Sequence, residues 1–340
     1  MRQSFCIKNL IALLICALLL AACGAVVTPV AYLVHKNKIQ EPFLGQDPFI
    51  QEIAARFGFM AVLSEMVYYR APFSHPTPCQ RPADDPALMK LPSDTNLGKW
   101  ERAANLPGVN FCLDDPSGVF YETFLFTSPN SNILEAVIVF RGTEGPSLRD
   151  WSANLSNVTG IEPLQYRRAL QELEKLFEEF QKPQYEGLSI YAAGHSLGGG
   201  LAQQAGYRFS QIKAVYAFNS SPVTNWSWMA LNNNEITQDW PVIYRLFHTG
   251  EALDPLRSAA TAITTTRFNR YDIGIQLQEK SRIGGHAMDV IACGLAKIVA
   301  QSNGKENAHY YTASYAKRDV YDGSMCASFK TSETSTTDKP

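Results

Sequence analysis

The sequence has no surplus of positive charge: 30 Lys and Arg stand against 32 Asp and Glu, a formal net charge of -2. Chains that bind nucleic acid displace counterions with such a surplus, so nucleic acid is not an expected partner. The sequence also has no Cys-x-x-Cys pair, and nothing else in it resembles a zinc site. No metal or cofactor is expected. Glycine and proline are modest, 22 and 19 in 340 residues, while 46% of the chain is hydrophobic, which excludes collagen and wholesale disorder. No internal repeat is present. A chain of this length forms one large α/β domain or two smaller ones, with a core that needs no staples.

The first 22 residues contain no acid: Arg2 and Lys8 precede an apolar run from Leu10 to Ala22. That is the architecture of a signal peptide. The run ends in Leu20-Ala21-Ala22-Cys23, which resembles the bacterial lipoprotein signal and implies a lipid on the Cys23 thiol. The competing reading is an uncleaved membrane helix, because apolar residues resume from Ala25 to Val34. Either way the segment is a membrane tether, and residues 23-46 are expected to link it to the domain. The location implied is the bacterial cell envelope, with Gly24 favouring the outer membrane. Removing residues 1-22 takes away two basic side chains and no acid, so anionic headgroups would not attract the remainder. Beyond Cys23 an even set of four cysteines remains: Cys79, Cys112, Cys293 and Cys326. In an exported protein they are read as two disulfides, proximity favouring Cys79 with Cys112 and Cys293 with Cys326; four buried thiols are the alternative.

From Asp47 to Tyr69 apolar residues recur at helical spacing, with Pro48 at the first position, and predict an amphipathic helix packed on a sheet. Residues 71-118 carry recurrent prolines and read as an irregular excursion inside a domain spanning 47-330. Strands are then predicted at Val119 to Thr127, Ala136 to Phe140, Leu188 to Ala192, Ala214 to Phe218 and Val242 to Phe247. Helical patterns alternate with them, the strongest from Pro163 to Phe180. This is the pattern of an α/β fold with a mostly parallel sheet flanked by helices. Residues 331-340 are polar and read as a disordered tail.

Gly194-His195-Ser196-Leu197-Gly198 falls between a predicted strand and a helical run, the setting of a nucleophile elbow. A serine hydroxyl reacts only where it projects from a sharp turn, and a β-carbon on either flanking glycine would collide with neighbouring backbone. Ser196 is the candidate nucleophile. Upstream, the strand Ala136 to Phe140 runs into Arg141-Gly142-Thr143 and then Asp150-Trp151; downstream, Asn219-Ser220-Ser221-Pro222 follows the next strand. In this order the motifs resemble the fungal-type, class 3 lipases of the α/β-hydrolase fold.

The resemblance implies an oxyanion hole from the Leu197 amide and from Thr143, and a general base that follows the acid in chain order. His286 fits best, since Gly284-Gly285 free its loop and an apolar helix follows; His248 and His309 remain as alternatives. The family pattern places the acid at Glu251, and Asp254-Pro255 is a second match displaced by three residues. Leu148, Trp151 and Leu155 at helical spacing imply a lid, or else a short surface helix. Trp226 and Trp228 lie in an apolar insertion suited to an acyl pocket or a bilayer. The expected protein is a membrane-tethered serine ester hydrolase of lipase or phospholipase type acting through an acyl-enzyme on a lipid or ester substrate. The alternatives are a catalytically silent envelope lipoprotein that uses the fold for binding, and a delivered phospholipase acting on foreign membranes.

Overall fold

A computed structural model describes residues 30–36, 50–68, 79, 91, 93–94, 96, 98–103, 110–142, 164–223, 241–251, 253, 270–277 and 285–301. Among the described residues ten strands form one sheet: β1 (Val30–Lys36), β2 (Ser93–Asp94), β3 (Gly98–Arg102), β4 (Cys112–Asp114), β5 (Phe120–Thr127), β6 (Ile133–Phe140), β7 (Ser189–His195), β8 (Ile212–Phe218), β9 (Val242–His248) and β10 (Arg270–Gln276). Their spatial order is β1-β10-β9-β8-β7-β6-β5-β3-β2, with β4 also paired to β5. The five strands from β6 to β10 are mutually parallel, and antiparallel strands flank them on both sides. Four α-helices are described, α1 (Ile50–Met66), α2 (Leu164–Glu179), α3 (Leu197–Arg208) and α4 (Met288–Gln301), with a 3-10 turn at Pro183–Tyr185. The fold is an α/β-hydrolase-like, mostly parallel sheet flanked by helices.

Alternation along the strands divides the core in two. Phe124, Val137, Val139, Ala193, Tyr216, Leu246 and Ile273 face α1 and α4. Tyr121, Ile138, Phe140, Ala192, Val215 and Ile243 face α2 and α3. Each fully buried Phe or Ile contributes about 2–3 kcal/mol of transfer free energy, so both layers are needed to offset chain entropy. α2 keeps the expected amphipathic stripe: Leu173 and Leu176 are buried while Arg167, Glu174 and Glu178 are exposed. α1 differs from its amphipathic reading. Even Arg56 and Glu65 are buried, because α4 packs along one side of the helix and the sheet covers the other.

Val30–Lys36 lies within the segment 23-46 expected to be a linker, yet it is the edge strand β1, paired antiparallel with β10. The run Val-Ala-Tyr-Leu-Val suits an extended conformation, and β10 offers an open edge for it. The proline-rich stretch 71-118 contributes three strands of two to five residues. Cys79 and Cys112 within it are joined by a disulfide, with Cα atoms 5.5 Å apart. Cys293 is also disulfide-bonded. Its partner lies outside the described residues, as do Cys326 and Cys23. Among the described residues no helix is long and apolar enough to cross a membrane.

Candidate active site

The carboxyl ends of four adjacent parallel strands converge on one point. Gly142 follows β6, Ser196 follows β7, Asn219 follows β8 and Glu251 follows β9; His286 lies between β10 and α4. In open α/β sheets this edge is where ligands bind.

Ser196 occupies the turn between β7 and α3 with φ 56° and ψ -124°, a conformation most side chains avoid. Such strain costs about 1–3 kcal/mol and persists only where the surroundings over-determine it. Here they do. The Ser196 N–H donates to the Phe218 carbonyl at 3.0 Å, and the Ser196 carbonyl accepts the N–H of Ser221 at 3.0 Å. The elbow's small residues have specific neighbours. A β-carbon on Gly198 would overlap the Phe140 carbonyl oxygen at the end of β6, and one on Gly194 would overlap the backbone of Gly198. One on Gly142 would lie 2.9 Å from Cβ of Ser196 and 2.5 Å from the Tyr68 hydroxyl.

The Ser196 hydroxyl lies 3.0 Å from Nε2 of His286. On the other side of the ring, Nδ1 of His286 lies 2.5 Å from Oε2 of Glu251. The same carboxylate oxygen accepts the Leu253 N–H at 3.0 Å. With Nδ1–H donating to the carboxylate, Nε2 is left as an acceptor for the serine hydroxyl. All three side chains are buried, so these hydrogen bonds operate in a low dielectric where each counts for more than in water. Behind the elbow, burial pushes the Tyr166 phenol up to about 12. Tyr166 therefore stays neutral at physiological pH.

Of the other candidates, His248 and Leu197 fall within the described residues. His248 accepts the Leu277 N–H on Nε2 at 3.3 Å, and its Nδ1 lies 3.3 Å from the Thr249 carbonyl, so its ring serves the ends of β9 and β10. Leu197 opens α3, where a helix leaves its first N–H groups without intrahelical acceptors. Thr143, Leu148, Trp151, Leu155, Trp226, Trp228, Asp254 and His309 lie outside the described residues. Three residues that sequence reasoning had not drawn into the site are present. Tyr68, just past α1, meets His195 and Gly142; His195 reaches the His286 backbone; Asn219 reaches it from β8. His195 and Asn219 stand in motifs already quoted, but their contacts and those of Tyr68 join segments far apart in the chain, so no local pattern signals the contacts. Among the described residues no cluster of His, Cys, Asp or Glu could hold a metal ion.

Residues 59–256, more than half of the chain, match the family model of the Tle-like phospholipase domain. The chain belongs to this family. The matched stretch contains Ser196 and Glu251 and ends before His286. An extracellular phospholipase A1 from Serratia liquefaciens is 32% identical over 97 residues, which is 28% of this chain and 27% of that protein. The chain thus matches little more than a quarter of that relative's length. Likeness to solved structures is weak. Lipase II from Rhizopus niveus aligns with TM-score 0.34 at 14% identity over 62% of this chain and 76% of that one. An esterase from Pyrobaculum calidifontis aligns with TM-score 0.34 at 11% identity over 77% of this chain and 95% of that one.

Proposed function

We propose that this member of the Tle-like phospholipase domain family is a serine ester hydrolase that cleaves acyl esters of lipids. The observation that carries the reading is the hydrogen-bonded row Ser196–His286–Glu251 at the carboxyl edge of the sheet. In this reading the Ser196 oxygen attacks the ester carbonyl while His286 Nε2 takes its proton, and Glu251 holds the ring and balances the imidazolium. The carbonyl oxygen becomes an oxyanion, received by the Leu197 amide at the head of α3 and by Thr143. Collapse of this intermediate breaks the ester bond; His286 returns the proton to the leaving alcohol, and the acyl group remains on Ser196. Water, deprotonated by His286, then attacks the acyl-enzyme, and the serine hydroxyl is restored as the acid departs.

Family membership and the phospholipase A1 relative support a phospholipid as the ester, with Trp151, Trp226 and Trp228 the candidate contacts for its chains. The chain acts at the bacterial envelope, held there by a lipid on Cys23. Fractionation of Cys23→Ser reads the tether: release from membranes or an unprocessed precursor supports it, and unchanged mobility and partition oppose it.

The deciding experiment is labelling by a fluorophosphonate together with fatty-acid release from a panel of phospholipids, triacylglycerols and short esters. Ser196→Ala is expected to take no label and to lower turnover by about 10⁴ to 10⁶. Near-native turnover in that variant removes the assignment.

A further inference from the structure

The hydrogen bonds around His195 lie off the proton path from Ser196 to Glu251, yet they join both of its sides. Nε2 of His195 is 2.6 Å from the backbone carbonyl of His286. A carbonyl only accepts, so Nε2 carries the hydrogen, and in the neutral ring Nδ1 is then an acceptor. Nδ1 receives the Tyr68 hydroxyl at 2.7 Å. The Tyr68 oxygen accepts the N–H of Gly142 at 2.8 Å. Every donor in this row points the same way, from Gly142 through Tyr68 and His195 to the carbonyl of His286.

A second donor grips the same loop. Nδ2 of Asn219 lies 3.0 Å from the Gly285 carbonyl and 3.1 Å from that of His286, while its Oδ1 accepts the His248 N–H at 2.8 Å. Asn219 holds φ 40°, a left-handed conformation that Asn tolerates better than most residues. Tyr68, His195 and Asn219 are all buried, so water is poorly placed to replace a lost bond. The placement follows from strand alternation: His195 ends β7 on the same face as Ala193, the face covered by α1, and Tyr68 lies immediately past that helix.

The ring of His286 must meet two partners at opposite nitrogens. A small rotation of its backbone would spoil both contacts together. We propose that Tyr68, His195 and Asn219 are positioning residues that clamp the His286 loop, the first two to Gly142 and Asn219 to the ends of β8 and β9, so that the base and the end of the oxyanion strand keep one geometry around Ser196. The inference rests on the ester-hydrolase reading above for its catalytic meaning, and on the hydrogen bonds alone for the clamp.

The test compares two replacements of His195 in the full chain. A glutamine amide nitrogen falls near the position of Nε2 and can still donate to the His286 carbonyl; an asparagine amide falls near Nδ1 and cannot reach it. Turnover is measured per serine titrated with fluorophosphonate, so loss of folded protein does not count as loss of rate. His195→Asn is expected to lower kcat about tenfold with KM changed less than about twofold, and His195→Gln to recover most of the rate. Tyr68→Phe is expected to fall by a similar factor. The Tyr68→Phe/His195→Asn double variant should be little worse than either single one, because both break the same row. A readout independent of turnover is the downfield proton resonance of His286 Nδ1–H. It should move or broaden in His195→Asn and persist in His195→Gln. Equal damage from Asn and Gln, or native kcat and an unmoved resonance in His195→Asn, overturns the clamp. If the wild-type protein neither takes label nor cleaves any ester, the hydrolase reading fails and the resonance alone decides the clamp.

Discussion

Oε2 of Glu251 accepts two hydrogen bonds at once, from Nδ1 of His286 at 2.5 Å and from the Leu253 N–H at 3.0 Å. The backbone bond aims the carboxylate and the ring then takes its direction from it. Glu251→Gln keeps the size of the side chain but removes the charge, and its amide group can force the wrong tautomer on His286. kcat is expected to fall by about 10³ to 10⁴. Asp254→Asn should lower it far less. Steady-state kinetics on a short ester, with both amides prepared in parallel, decide between them. A damaging Asp254→Asn beside a nearly silent Glu251→Gln would displace the acid by three residues.

Gly142 carries the second prediction. A methyl group there meets the Tyr68 hydroxyl at 2.5 Å, the His195 carbonyl oxygen at 2.6 Å and Cβ of Ser196 at 2.9 Å. None of these can retreat without moving the elbow or the end of α1. Gly142→Ala is therefore expected to lower kcat/KM by about 100-fold, because displacements on the ångström scale are enough to misalign an acyl-transfer site. Fluorophosphonate labelling rate and a thermal melt, measured together, separate misalignment from unfolding.

Much of this arrangement is written in short stretches of sequence, and what is not is non-local. The elbow around Ser196 is legible because its glycines, the strand before it and the helix after it are contiguous. Glu251 is legible from its position three residues past β9, and His286 from the glycines before it and the apolar helix after it. The Tyr68–His195 bond joins residues 127 apart, and the His195–His286 bond residues 91 apart, so only the folded sheet brings them together. β1 is hidden for a related reason. Its apolar run reads equally well as the continuation of a signal segment, and only the free edge of β10 makes it a strand. Similarly, α1 has the periodicity of a half-exposed helix until α4, from the other end of the domain, covers its outer side.

The Cys79–Cys112 disulfide closes a span of 33 residues that includes the short strands β2 and β3. Cross-linking a loop of that length removes denatured-state entropy equivalent to about 3–4 kcal/mol. Cys79→Ser/Cys112→Ser is expected to lose about that much stability in urea titration. The bridge ties Cys79 to β4, which pairs with β5, four strands away from β9 and Glu251. kcat of the protein that remains folded should therefore change little. An equal fall in rate per titrated serine would mean that the excursion shapes the site as well.

Asp115 offers a test by pH. It closes the turn between β4 and β5, accepting the Ser117 N–H on Oδ1 at 2.8 Å and Nε–H of Arg168 in α2 on Oδ2 at 2.9 Å. The hydrogen bonds from Ser117, followed by the Arg168 guanidinium, hold its carboxyl down at about 2. An aspartate in an unfolded chain titrates near 3.9. The native state thus binds this proton less readily than the unfolded state, so the carboxylate stabilises the fold fully above about pH 4, and the contribution is lost as pH falls towards about 2. Because the pair lies near the surface, solvent screening keeps its contribution small. Asp115→Asn should therefore be slightly less stable than the wild type at pH 7, and the gap between the two denaturation curves should close between about pH 4 and pH 2. Arg168→Gln should narrow the gap at pH 7 by weakening the same carboxylate, and it should leave part of the pH dependence in place because the Ser117 bonds survive. A gap that stays constant down to pH 2 would mean that Asp115 holds the turn by shape alone and that its charge contributes nothing.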